Sequence, residues 1–340
     1  MAERVKVFCD WLSMYQVHFE GVPLVNDGHV FSVDQDGEIK WDVPQKLVHR
    51  GSHDTSIRIR SDGFRVTLEG NIGRFDRSDN LFGYTVQECI QLANHLLAQF
   101  GLPPFKDAAP MQLVKKGGED GGYQAVGAVI TRVDLTCNWC TGSPGNVEQF
   151  IRHLQGFKSG RQEPRTYKTT GVSWGEGSKY WYAKVYDKAA EYFRQCGKKA
   201  KAFDAPLFQY MLDQGIARHE IELKSRYLKQ NNLWRMSQWG DGMEDRIYAL
   251  FNDVIGGESH VDQFLEIPGR AGELAVAWRD GADLKKRLST ATYYRYRKEL
   301  LKYGIDIAVP SNVTRLRSRV EVITLAPAQA PSWYVLPKVA

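Results

Sequence analysis

No run in this chain of 340 residues approaches the roughly 18 consecutive apolar residues that a membrane-spanning helix needs. The N-terminal stretch also lacks a charged segment followed by an apolar one, so neither a signal peptide nor a membrane span is predicted. Cysteine is scarce and odd in number: Cys9, Cys89, Cys137, Cys140 and Cys196. That excludes a fully paired disulfide scaffold and fits a reducing compartment. The lone Cys137-Asn-Trp-Cys140 has no second pair and no histidine at zinc-finger spacing, so it reads as strand-end thiols, ahead of a zinc or redox site. Charge of one sign is weak as well, because the net charge is only +5. Such a balance suits a polyanionic partner without requiring one.

What the chain does have is 43% hydrophobic and 12% aromatic residues, enough for a sizeable core in one large domain or two. Its most informative stretch is Trp181–Glu191, which begins as a strand of aromatic and β-branched residues. At a two-residue period Tyr180, Tyr182, Lys184, Tyr186 and Lys188 share one face, and Trp181, Ala183 and Val185 share the other. An aromatic, cationic strand face suits a nucleic-acid or phosphate site. Val129–Thr136 places Arg132, Asp134 and Thr136 on one face, and Ile216–Lys224 does the same for Arg218, Glu220, Glu222 and Lys224. If these faces converge, Asp134, Glu220 and Glu222 beside Tyr186 offer oxygen ligands for a hard cation such as Mg²⁺ or Mn²⁺. Each acid could instead be a buried carboxylate paired with Arg132 or Arg218.

Elsewhere Ser61-Asp-Gly63 between alternating runs predicts a hairpin, and Val86–Phe100 carries a helical apolar stripe that stops at Gly101 and Pro103. Residues 1–50 read as short strands and turns with no legible function, and Gly70–Gly83 as a surface connection or a binding loop. A second helix is predicted over Val147–Leu154, a basic loop over Lys158–Lys168, and a polar helix from Asp187 toward Lys201. Beyond residue 240 the pattern turns helical. Asp283–Ser289 and Ala291–Gly304 resemble a helix-turn-helix, with Arg295, Lys298 and Lys302 along one face and Arg297 close by. The predicted class is α+β: a central antiparallel sheet with flanking helices, then a mostly helical C-terminal region. The predicted boundaries are 1–235, 236–310 and a tail over 311–340.

Five segments in order resemble the filamentous phage replication initiators of the gene II/X type. They are Leu68–Phe75 with Asp79–Gly83, Ile130–Thr136, Ala183–Glu191, Ala217–Lys229 and Tyr293–Ile307. The resemblance implies an enzyme that nicks one strand of the double-stranded replicative form at the phage origin, stays on the 5′ end through a tyrosine, and later rejoins the strand. It implies Tyr186 as nucleophile, Lys188 and Glu191 as its catalytic neighbours, and Asp134 and Glu220, with Glu222 less firmly matched, as metal ligands. It further implies Arg132 and Arg218 near DNA, joined by Arg295, Arg297, Lys298 and Lys302. Expected partners are double- and single-stranded origin DNA and the host helicase and polymerase, in the bacterial cytoplasm and away from membranes. Many rolling-circle nickases hold their metal with a His-x-His pair, which this chain lacks; His49 and His53 are four apart. Two competing expectations are an origin-binding protein without nicking activity and a metal-dependent nuclease that uses water.

Overall fold

The computed structural model describes residues 7–107, 113–115, 123–166, 170–196, 203–252, 259–261, 267, 269–279, 281–301, 305–308 and 321–339. They form two compact units, Met1–Gly256 with Ala326–Ala340, and Gly257–Leu325. The expected tail therefore does not stand apart, and the second unit is inserted between two parts of the first. Among the described residues no helix is long and apolar enough to cross a membrane.

The first unit is built on one antiparallel sheet. Its N-terminal part runs β1 (Phe8–Val17), a hairpin of β2 (His29–Val33) and β3 (Ile39–Pro44), β4 (Leu47–Arg50), β5 (Ser56–Ser61) and β6 (Arg65–Gly70). Then come α1 (Val86–Gln99), the short β7 (Leu113–Lys115) and β8 (Tyr123–Ala125), β9 (Val129–Cys140) and α2 (Pro144–Leu154). The chain continues through β10 (Arg165–Thr166), β11 (Gly171–Trp174), β12 (Trp181–Asp187), α3 (Lys188–Cys196), α4 (Ala205–Gln214), β13 (Ile216–Lys224), α5 (Ser225–Gln230) and α6 (Met243–Ala249). In the large sheet the strand order is β10-β11-β12-β13-β9-β1-β6-β5-β4.

Local chemistry explains most of these elements. The β5–β6 turn is the expected one: Asp62 Oδ1 accepts from the amides of Phe64 and Arg65 at 3.0 and 2.6 Å, and Gly63 takes φ 87°. Thr85 and Glu88 form a reciprocal capping box at the start of α1. Ser143 caps α2, whose Val147, Phe150, Ile151 and Leu154 are buried. Two helices not foreseen are α4 and α5; α3 is described through Cys196, and the rest of the predicted polar helix, toward Lys201, lies outside the described residues.

The largest departure is β1. It sits in the middle of the sheet, paired with β6 on one side and β9 on the other. Phe8, Cys9, Leu12, Ser13, Met14 and Gln16 are all buried, so the strand is covered on both faces and shows no clean alternation. Its register with β9 shifts between Cys9 and Trp11, which puts a bulge at Asp10.

In the second unit β14 (Ser259–Val261) pairs with β15 (Glu321–Ile323), alongside α7 (Gly269–Arg279), α8 (Leu284–Arg287) and α9 (Thr290–Leu300). Its core joins Ile267, Ala271, Ala275, Trp278, Leu284, Tyr293, Leu300, Ile305 and Ile307. The chain then re-enters the first unit through β16 (Ala326–Pro327), which pairs with Cys140 and Trp139 of β9.

Gly215 ends α4 at φ 57°, and a Cβ there would run into the backbone of Ser143. Its carbonyl also accepts from Thr141 Oγ1 at 2.9 Å, so this segment has little room to yield. Gly215→Ala is expected to cost about 2 kcal/mol or more of stability, read by urea denaturation.

Candidate active site

Strand register brings the predicted residues onto one face. Across β12 and β13, Tyr186 lies opposite Arg218, Lys184 opposite Glu220, and Tyr182 opposite Glu222. Across β13 and β9, Arg218 lies opposite Asn138, Glu220 opposite Thr136, Glu222 opposite Asp134, and Lys224 opposite Arg132. Directly paired residues in an antiparallel sheet share a face, so the phenol, the three acids and their cations form one patch. The floor is buried, with Tyr186 6% and Glu220 7% exposed. Arg132, Lys184, Lys224 and Glu222 make a more open rim.

Tyr186 Oη donates a hydrogen bond to Glu220 Oε1. Lys184 Nζ holds the other oxygen, Oε2, at 2.6 Å and lies 5.2 Å from the centre of the Tyr186 ring. Burial alone raises the Glu220 carboxyl, but the charges of Lys184 and Arg218 and the hydrogen bonds from Lys184 and Tyr186 outweigh it and hold the group at about 2. Burial, and then the charge of Glu220, push the Tyr186 phenol well above its usual value. The resting pair is therefore phenol and carboxylate, with the proton on tyrosine and an acceptor already in contact.

Beside them Lys188, at the start of α3, donates to Glu191 Oε2 at 2.8 Å and to Asn80 Oδ1 at 3.0 Å. Burial and the neighbouring Arg218 lower its ammonium pKa. Arg218 is fully buried, which corrects its expected place on DNA. Its Nε donates to Asn138 Oδ1 at 2.8 Å, and Nη2 to the carbonyls of Asn80 and Leu81 at 2.6 and 3.1 Å. Through Nε and Nη2 the guanidinium ties that loop to the sheet, while Nη1 is buried with no hydrogen-bond partner among the described residues.

Two contributors escaped sequence reading. Asn80 accepts from Lys188, and its Nδ2 donates to Asp10 Oδ1 at 2.9 Å. The Asp10 carboxylate also accepts from Asn71 Nδ2 at 3.0 Å. Gly70–Gly83 is thus packed against the polar patch, and Asp10 is aimed at it by the bulge in β1. Asn80 lies within one of the motif segments, so it was visible as a residue and not as a contact.

The expected ligands Asp134, Glu220 and Glu222 each meet a cation of the chain. Arg132 grips both oxygens of Asp134, Nε at 2.7 Å and Nη2 at 2.6 Å, and its Nη2 also reaches Glu222 Oε2 at 3.2 Å. Glu220 is engaged by Lys184 and Tyr186. Asp134 and Glu222 lie directly opposite each other across β9 and β13, with Glu220 on the same face. Among the described residues no group of three His, Cys, Asp or Glu is arranged to hold a metal. Burial first, with help from the charges of Glu222 and Asp10, still raises Asp134 to about 7 against the pull of Arg132.

Within the second unit, Arg295 and Lys298 are exposed on α9, and Arg295 stacks 4.8 Å from the Tyr296 ring. Arg297 is committed to Asp306 through two bonds of 2.7 and 2.8 Å, so it fastens the segment after α9 and is not a free contact for DNA. Lys302 lies outside the described residues.

Known families bear on this geometry. The N-terminal family of the phage replication-associated protein matches residues 8–242, and its C-terminal counterpart matches residues 270–340. The replication-associated protein of Escherichia phage If1 is 31% identical over 83% of this chain and 97% of its own length. That of Enterobacteria phage I2-2 is 26% identical over 91% and 92%. A solved rolling circle replication initiator from Geobacillus stearothermophilus compares at a TM-score of 0.28 and 14% identity, over 67% of this chain and 78% of that one. The sheet and its polar patch thus belong to a phage replication initiator. The chain is a member of the replication-associated protein family of filamentous phages, the replication initiators of the gene II type.

The Glu220 carboxyl, lowered from 4.5 to about 2, sets a pH dependence. A carboxylate depressed in the folded state adds stability that is present above its unfolded pKa and is lost as pH falls through the folded one. Stability should fall by about 3 kcal/mol between pH 4.5 and about 2 on this account. Urea denaturation across that window should show a flatter acid limb for Glu220→Gln than for the native chain.

Proposed function

We propose that this initiator cuts one strand of origin DNA by transesterification, with Tyr186 as nucleophile and Glu220 as the group that takes its proton. The observation carrying this reading is the hydrogen bond from Tyr186 Oη to a carboxylate that Lys184 keeps ionised. A phenol with a pKa near ~10 attacks poorly at neutral pH unless a base receives its proton in the transition state. Glu220 stands at that proton, and Lys184 beside the ring offsets the negative charge that grows on the phenolic oxygen.

In the step itself the Tyr186 Oη–phosphorus bond forms, the phosphorus–O3′ bond breaks, and the departing 3′-oxygen is protonated to a free hydroxyl. The phosphotyrosine left on the 5′ end retains a phosphodiester, so attack by a 3′-hydroxyl reverses the reaction and rejoins the strand. A water-using nuclease would lose that option. Lys188 and Glu191 are positioning groups in this scheme, since both are tied to each other and to α3. Arg132, Lys184 and Lys224 on the rim offer positive charge to the approaching backbone. Assay with Mg²⁺ and with Mn²⁺ addresses the preferred ion directly.

The inserted second unit adds DNA affinity in this proposal, through Arg295 and Lys298 on the exposed side of α9. Replacing both with alanine should weaken origin binding and reduce the slope of log affinity against log salt by about 2. An unchanged slope would remove α9 from the interface.

The decisive experiment combines protein, supercoiled origin DNA and Mg²⁺, followed by denaturation and mass spectrometry of the 5′ end. The expected product is a nicked strand carrying a peptide modified at Tyr186. Tyr186→Phe should abolish attachment, a loss of at least about 10³-fold, with DNA affinity nearly unchanged, and Glu220→Gln should slow attachment by about 10²-fold or more. Cutting by Tyr186→Phe without attached protein would instead establish the water-using nuclease, and origin binding with no cut under either ion the non-catalytic binder.

A further inference from the structure

The loop that closes the site is itself held by the far end of the chain. After β16 the backbone crosses the first unit along residues 328–337, and much of this stretch is exposed: Trp333 50% and Val335 80%. Its inward anchor is Tyr334. The Tyr334 hydroxyl donates to Asp79 Oδ1 at 2.7 Å and accepts from Arg77 Nη2 at 2.7 Å. Its ring meets Phe82 edge-on, centroids 5.0 Å apart. Arg77 in turn donates to the carbonyls of Gly73 and Phe82 at 2.7 and 2.8 Å, and Asp79 accepts from the Leu81 amide at 2.8 Å. Two more bonds fasten the strap, from Tyr84 Oη to the Pro337 carbonyl at 2.8 Å and from Tyr210 Oη to the Gln329 carbonyl at 2.6 Å.

Residues 79–82 thus lie between two sets of contacts. On the outer side they meet Tyr334. On the inner side the carbonyls of Asn80 and Leu81 receive Arg218, Asn138 Nδ2 also donates to the Leu81 carbonyl, and the Asn80 side chain joins Lys188 to Asp10. Arg218 lies directly across from Tyr186 on β13, and Lys188, two residues after Tyr186, is close enough to Arg218 and Glu220 to feel their charges.

We propose that the C-terminal strap, through Tyr334, is a positioning element for the nicking centre, holding the Asp79–Phe82 loop so that Asn80 and Leu81 fix Lys188 and Arg218 beside Tyr186. This rests on the catalytic reading of Tyr186. The strap touches no reacting atom, and its effect reaches the phenol through the loop and the two cations. Covering apolar surface is a simpler role for the same segment, and it predicts different consequences. Ring packing on Phe82 would suffice for covering, whereas positioning needs the hydroxyl that grips Asp79 and Arg77.

The test uses the full chain and a single-stranded oligonucleotide spanning the nick site mapped with the native protein. Tyr334→Phe keeps the ring and removes the hydroxyl. At saturating oligonucleotide the rate of covalent attachment should fall about tenfold or more, because small displacements of catalytic groups are costly in rate. Oligonucleotide affinity should stay within about twofold, and the thermal midpoint within a few degrees, the scale of one or two lost hydrogen bonds. Trp333→Ala, which removes ring contacts with Tyr210 and Tyr334 but leaves the Tyr334 hydroxyl in place, should leave the attachment rate unchanged. Native-rate attachment by Tyr334→Phe would overturn the proposal, as would rates that fall in both variants in step with thermal midpoint. A native chain that binds DNA and never attaches would overturn the catalytic reading and this inference with it, a result distinct from either of those.

Discussion

An ionised group inside a sheet is costly unless an opposite charge meets it at hydrogen-bonding distance, and the centre of this protein obeys that constraint throughout. Glu220 is buried because Lys184 and Tyr186 take its two oxygens. Asp134 is buried because Arg132 closes on it bidentately. Arg218 is fully buried with its Nε on Asn138 and its Nη2 on two loop carbonyls. Removing one member leaves its partner uncompensated, so these residues form one network and substitutions within it should couple strongly.

The same network gives the site its chemistry. A tyrosine on an open strand would exchange its proton with water and attack with no particular preference. Here the phenol is shielded, already bonded to an ionised acceptor, and flanked by a lysine on the neighbouring position of its own face. Burial holds the phenol protonated at rest, and in the proposed reaction it stays so until a phosphate offers a place for the electron pair. The three carboxylates on this face meet cations of the chain, Arg132 and Lys184.

Chain connectivity adds a second constraint. The helical unit is an insertion, and both of its ends lead back to the sheet-based unit. The return leg pairs with β9, the strand that carries Arg132 and Asp134, and then crosses to the loop over Arg218. An insertion tied at both ends loses less freedom on binding than a unit on one flexible link. The C-terminal segment, readable only as a Pro- and Ala-rich tail, is part of how the first unit is built.

By itself the sequence determined which strands carry chemistry. Alternation at a two-residue period placed Tyr186 with Lys184, Glu220 with Glu222, and Arg132 with Asp134 on common faces, because strand geometry forces neighbours in that pattern to one side. Turn and cap chemistry was equally local, so Asp62-Gly63 and Thr85 with Glu88 could be read directly or agree with what could. Only the tertiary structure decided what covers that face and what each charge meets. β1 went unrecognised because burial on both sides erases alternation, and Asp10 because a bulge is a property of pairing. Arg218 looked like a surface cation until Asn80 and Leu81 were seen above it, and the pairing of Asp134 with Arg132, one of two readings open in the sequence, took a distance only here. Tyr334 had no signal at all, since its partners Asp79 and Arg77 lie at the opposite end of the chain, and a contact of that separation exists only once the sheet has formed.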